Sequence, residues 1–278
     1  MGLRIATNVT SMSAQRNLGI NSESQKGSLE KLGSGSRINR AADDAAGLAI
    51  AEKMRAAVRS IGQDVRNAND GISMIQTAEG GMNEISNILV RFRELSIQAA
   101  SDTVTEKERE FMDKEVQQLH KEVDRIARAT NFNGIKLLDG GNGSPLDIHV
   151  GQGADEVLDR FQFKTGEVAS TTESLKIGGL NVLTKESAQT NLDQIDGALR
   201  TLNGNRAELG SLQNRLQSSI ASLQTYNENL STARSRIKDV DMASETSELT
   251  KNNILTQANL SVLSQANQNS TMALKLLG

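Results

Sequence analysis

At 278 residues, 37% hydrophobic and 23% charged, the chain has the material for one or two folded domains. With no Cys or Trp, one Tyr, one Pro and five Phe, it has no disulfide framework or thiolate metal site and little aromatic stock for a cofactor pocket; only His120 and His149 remain as imidazole ligands. A net charge of -3 with both signs interspersed offers no basic stripe for a phosphate backbone, which argues against nucleic acid as a partner.

Residues 1–20 carry Arg4 and Arg16 and no continuous apolar run, so neither a signal peptide nor a membrane span is expected there. The first long helix is predicted from about Asp43 to Ala100. Its seam is Met54, Val58, Ile61, Val65, Ala68, Ile72, Ile75, Ala78, Met82, Ile85, Leu89 and Phe92, in alternating steps of four and three. The one break in that rhythm falls just before Gly80-Gly81, where local overwinding would be tolerated. Such a helix spans roughly 80 Å at 1.5 Å per residue, too long for an ordinary globular helix. The acidic pair Asp43-Asp44 suits its N-terminus through the macrodipole.

A second helix is predicted from Thr105, whose spacing to Glu108 fits a capping box, through Met112, Val116, Leu119, Val123 and Ile126, lying back along the first. His120 falls at a solvent-type position of that helix. The segment 131–185 changes character. Asn133-Gly134 and Asp139-Gly140-Gly141 read as turns, and LDIHV and RFQFK alternate as short strands, so a small β-hairpin region is expected there. GQGADE at 151–156 begins like a glycine-rich loop but lacks the third glycine and the following helix, which favours a turn over a phosphate cradle.

From about Leu192 helical periodicity returns with Ile195, Leu202, Leu209, Leu216, Leu223, Leu230 and Ile237 at strict intervals of seven, a coiled-coil seam. These stripes predict a mainly α fold, a long antiparallel helical bundle or coiled coil with a small β-hairpin region mid-chain. Between Leu249 and Gly278 the only charges are Lys251 and Lys275, amid Asn, Gln, Ser and Thr interleaved with apolar residues, and the first 22 residues look similar. Such a sparse stripe folds poorly alone and suits a helix surrounded by copies of itself, where charge would be costly. These ends are therefore expected to order on polymerisation.

The stretches SGSRINRAADDAAGLAIAEKMR, RNANDGISMIQTAEGGMNEISNIL and VRFRELSIQAASDT closely resemble the N-terminal signature of bacterial flagellins. DRIARATNFNGIKLLDG resembles the end of that conserved region, and STARSRIKDVDMASE with NILTQANLSVLSQANQ the C-terminal one. Together they cover about residues 1–140 and 190–278. The resemblance implies a secreted structural protein, exported unfolded, that builds the extracellular flagellar filament. A hook-filament junction protein is the alternative within the same superfamily.

The implied architecture is a terminal-helix domain of residues 1–42 and 239–278 with a rod-like helical domain, 43–238, between; only about 50 residues separate the conserved halves, which implies a minimal form without large outer domains. Leu18, Leu29, Leu32, Leu255, Val262, Leu263 and Leu276 are the implied polymerisation residues. By the same resemblance the partners are further copies of the chain, an export chaperone on roughly 240–278, the filament cap and the hook-filament junction proteins. An animal Toll-like receptor would meet the positions of Arg91, Leu95 and Glu115, although Leu119 replaces an arginine common there. Lys238 stands where the family usually has an acid. No catalytic, metal or cofactor site is expected: there is no HExxH, neither histidine is placed as a triad base, and no membrane partner is implied.

Overall fold

The computed structural model describes residues 7–141 and 145–275, with side chains described as far as Gln268. Among the described residues there are five helices and two short hairpins: α1 (Val9–Ser34), α2 (Ala45–Ala99), α3 (Glu106–Ala129), β1 (Asn131–Phe132), β2 (Ile135–Lys136), β3 (Leu146–His149), β4 (Arg160–Phe163), α4 (Lys185–Lys238) and α5 (Met242–Lys275). The fold is mainly α, as the periodicities require. The chain forms two compact units, Met1–Val58 with Glu228–Gly278, and Arg59–Asn227; α2 and α4 each contribute to both.

Helix ends are set by local chemistry. Asn8 caps α1 by accepting the Ser11 N–H, and Gly35 closes it in a left-handed conformation, φ 68°. Ahead of α2 the two aspartates divide the work. Asp44 accepts the Gly47 N–H at 2.8 Å, and Asp43 accepts those of Asn39 and Arg40, bonds that hold its carboxyl below the usual range. Thr105 and Glu108 complete the capping box of α3.

In the unit 59–227, α2 and α3 run antiparallel. Arg91 pairs with Glu115 at 2.9 Å, and the Arg109 guanidinium donates to the carbonyls of Ala99 and Ser101, satisfying the C-terminal end of α2. Of the α2 seam, Ile61, Ala68, Ile75, Ala78, Met82, Ile85, Leu89 and Phe92 are buried, whereas Met54, Val58, Val65 and Ile72 are half-buried. Gly71, Met74 and Leu95 widen the buried stripe because the helix meets neighbours on more than one side. α2 continues unbroken as an α-helix through Gly80-Gly81. Gly81 serves packing instead: a β-carbon there would stand 2.6 Å from Thr130 Oγ1 and 2.8 Å from a Leu138 methyl, while Gly80 faces open space.

Position 120 corrects the sequence reading. On α3 the buried face is Arg109, Met112, Val116, His120, Val123 and Ala127, so the rhythm runs through His120, and Leu119 is only partly buried. The hairpin region is present. Asn133 and Gly134, φ 49° and 82°, form the two-residue turn of β1–β2. β3 pairs antiparallel with β4 from Leu146↔Phe163 to His149↔Arg160. The sheet is held on α2 by Asn67 donating to the His149 carbonyl at 3.0 Å and by Ile148 against Gly71, where a β-carbon would not fit. On α4, Arg215 stacks over Phe161 at 4.8 Å. GQGADE is a turn whose space is taken by its own chain: the Asp159 carboxylate accepts the Asp155 N–H and occupies the volume beside Gly151 and Gly153.

Candidate assembly surface

Within the unit of the chain ends, α1 and α5 lie antiparallel. Asn8 Nδ2 donates to the Ala266 carbonyl at 3.0 Å, Ser11 Oγ to Asn267 at 3.0 Å and Gln25 Nε2 to Asn253 at 2.7 Å, and Lys31 faces Glu245 at 3.7 Å. Beyond α1 the backbone of Arg37 donates to the Lys238 carbonyl and that of Val240 to Gly35, joined by a bridge between Ser36 and Asp239. Lys238 itself reaches Glu52 at 3.5 Å.

The faces that α1 and α5 turn to each other are read from burial. On α1 they are Ser11, Ala14, Leu18, Asn21, Gln25, Ser28 and Leu32; on α5, Leu249, Asn252, Thr256, Asn259, Leu263 and Ala266. Steps of three and four make both heptad seams, but the side chains are mostly small or polar. The large apolar residues lie elsewhere. Val9, Met12, Ile20, Leu29, Met242, Ile254, Leu255, Leu260 and Val262 are 39 to 63% exposed. Of the residues expected to drive polymerisation, then, Leu18, Leu32 and Leu263 are half-buried in the seam, Leu29, Leu255 and Val262 face outward, and Leu276 lies outside the described residues. The expected single apolar stripe resolves into two faces, a polar one used inside the chain and an apolar one left open.

In the other unit the heptad seam of α4 divides by depth: Ile195, Leu202, Leu209 and Leu216 are buried, and Leu223, Leu230 and Ile237 are half-buried, the last two already in the unit of the chain ends. Arg91 and Glu115 are exposed, paired with each other, and Arg91 also bonds Glu94 at 3.0 Å. Leu95, expected beside them, is 2% exposed and belongs to the buried core, so its side chain offers almost no surface to a receptor. Buried polar residues escaped the sequence reading. Asp64 is 4% exposed; burial pushes its carboxyl pKa up, opposed by His149 and reinforced by Asp159. Among the described residues no cluster of His, Cys, Asp and Glu could hold a metal ion, and no helix is long and apolar enough to cross a membrane.

The family described as bacterial flagellin N-terminal helical region matches residues 5–143, and the bacterial flagellin C-terminal helical region matches residues 192–277. The chain belongs to the bacterial flagellin family. It is 44% identical to a flagellin of Halalkalibacterium halodurans over 97% of this chain and 98% of that one, and 41% identical to a flagellar filament 30.7 kDa core protein of Treponema maltophilum with the same coverage. With the flagellin of Bacillus subtilis identity is 39% over 99% of this chain and the whole of that one. A crystal structure of Bacillus cereus flagellin aligns at TM-score 0.50 and 35% identity, covering 57% of this chain and 88% of that one. A hook-associated flagellar protein of Vibrio parahaemolyticus shares the fold at TM-score 0.60 and 16% identity, over 71% of this chain and all of that one. The N-terminal match contains α1 and the C-terminal match α5, so the two faces of these helices belong to the parts of the chain that mark the family. That family is one of structural proteins.

Proposed function

We infer that this flagellin is the structural subunit of an extracellular flagellar filament and that it polymerises through the outward faces of α1 and α5, with no catalytic role. The observation that carries the reading is the mismatch between those faces. The seam inside the chain uses Ser, Asn, Gln and Thr, while nine large apolar residues among those described remain uncovered on the same two helices. Exposed apolar surface of that extent, with almost no charge beside it on α5, is what a helix needs when further copies surround it. Residues 1–42 and 239–278 would form the terminal-helix layer of the polymer and 43–238 the rod-like part.

The same uncovered face is where an export chaperone would bind before the chain leaves the cell unfolded, and the filament cap and junction proteins would meet it at the polymer's two ends. Arg91 and Glu115 form the surface an innate receptor of the Toll-like class would read. Polymerisation of the full chain with Leu255→Asp and Val262→Asp tests the central point, by sedimentation and electron microscopy. Wild type forms long filaments. The double variant keeps the wild-type helicity and stays soluble at concentrations where wild type assembles. Filaments of normal length and abundance from the double variant would remove this face from the assembly mechanism.

A further inference from the structure

Asp113, Gln117, His120 and Asp124 recur on α3 at steps of four, three and four, and so share one helical face. That face carries the turn-rich segment 172–182. Asp113 accepts the Val182 N–H at 3.1 Å, Gln117 donates to the Leu180 carbonyl at 3.4 Å, and Asp124 accepts both the N–H and the hydroxyl of Thr172 at 2.9 Å. Between those grips the strap buries Leu175, Ile177, Leu180 and Val182 in the core.

His120 stands in the middle of the fastening, 8% exposed, its ring 4.7 Å from that of Phe92. Neither ring nitrogen completes a hydrogen bond within the protein, although the Leu180 carbonyl bears on the ring. A neutral imidazole tolerates that position at modest cost, whereas an imidazolium needs acceptors or water for both N–H groups. The charged groups acting on it are Asp124 and Asp113, both on α3; from α2 it meets the Phe92 ring, and Glu173 and Lys176 of the strap are exposed.

We propose that this stripe is a proton-sensitive fastener, in which protonation of His120 loosens the 172–182 strap from α3. Burial is the largest influence on the ring and pushes its pKa below the ordinary histidine value; the Leu180 carbonyl, Asp124 and Asp113 push the other way without cancelling it. The fastened state therefore binds fewer protons than the opened one. Its stability is full above the free-histidine value and falls as pH drops from there through the depressed one.

Hydrogen exchange of the full-length monomer, corrected for intrinsic rates and read at the amides of Thr172, Ile177 and Val182, tests this at about pH 7.5 and about pH 5.5. Protection of the wild-type strap falls several-fold on acidification, and that of His120→Gln, neutral at both values, does not. Unchanged wild-type protection overturns the proposal, and so does an equal fall in His120→Gln. Should that variant fail to fold, the wild-type ring decides by its own NMR titration: a histidine that titrates at or above its ordinary value while the strap stays protected is no fastener.

Discussion

At the scale of single residues, the close approaches in this chain are made where a side chain is missing. Gly80 and Gly81 are adjacent in one helix and meet opposite surroundings, since only Gly81 lies under Thr130 and Leu138. Gly81→Ala forces the end of α3 and the Leu137-Leu138 segment away from α2 and should cost about 1–3 kcal/mol, the usual range for overpacking. Gly80→Ala meets nothing within 4 Å and should stabilise by about 0.5–1 kcal/mol through helix propensity. Urea unfolding followed by circular dichroism at 222 nm separates them by the sign of the midpoint shift. Two shifts of the same sign would mean that the Thr130 side of Gly81 relaxes freely. The pair also shows what a sequence withholds: two identical letters, side by side in a helical pattern, carry no mark of which one faces a neighbour.

Among the helices, depth within a seam decides energy, and depth was only partly legible. The interval of seven in α4 reads directly from the letters, because a repeat of 3.5 residues keeps one face toward a partner. Where along the seam the partners end does not, since that depends on the 131–185 region, whose packing is set by long-range contacts such as Arg215 on Phe161. On α3 the buried face also takes in Arg109 and His120, which the sequence rhythm did not include, because polar letters at core positions look like solvent-facing ones until their partners, the Ala99 and Ser101 carbonyls and the Phe92 ring, are known. The division makes Leu216 and Leu223 unequal. Leu216 is fully buried, and its truncation to Ala should cost about 2–5 kcal/mol. Leu223, half-buried, should cost clearly less. Thermal unfolding of the two single variants measures the difference, and equal losses would mean that the seam is covered as deeply at 223 as at 216.

For the molecule as a whole, the chain ends are helical yet have little apolar contact to hold them. Across the 26 residues of α1 and 34 of α5, the buried hydrophobic side chains are Ala14 and Ala266 among those described, joined by half-buried Leu18, Leu32, Leu249 and Leu263. Backbone ordering costs about 1–2 kcal/mol per residue, and six such side chains return only a small part of that. The seam's hydrogen bonds between Gln25 and Asn253 or Ser11 and Asn267 exchange for water bonds at little net gain. The unit 59–227 is different, with a continuous core from Ala68 to Leu216. The α1–α5 pair should thus open far more readily than α2, α3 and α4, and polymerisation, by covering Ile254, Leu255, Leu260 and Val262, should close it. Limited proteolysis by an enzyme of broad specificity is expected to trim the monomer to a resistant core bounded by the start of α2 and the end of α4, about residues 45–238, while filaments at the same dose stay whole. The trimmed core should keep its helicity and fail to assemble. A monomer in which α5 survives as long as α4 would show that the polar seam alone holds the ends, and coupling of their folding to assembly would be refuted.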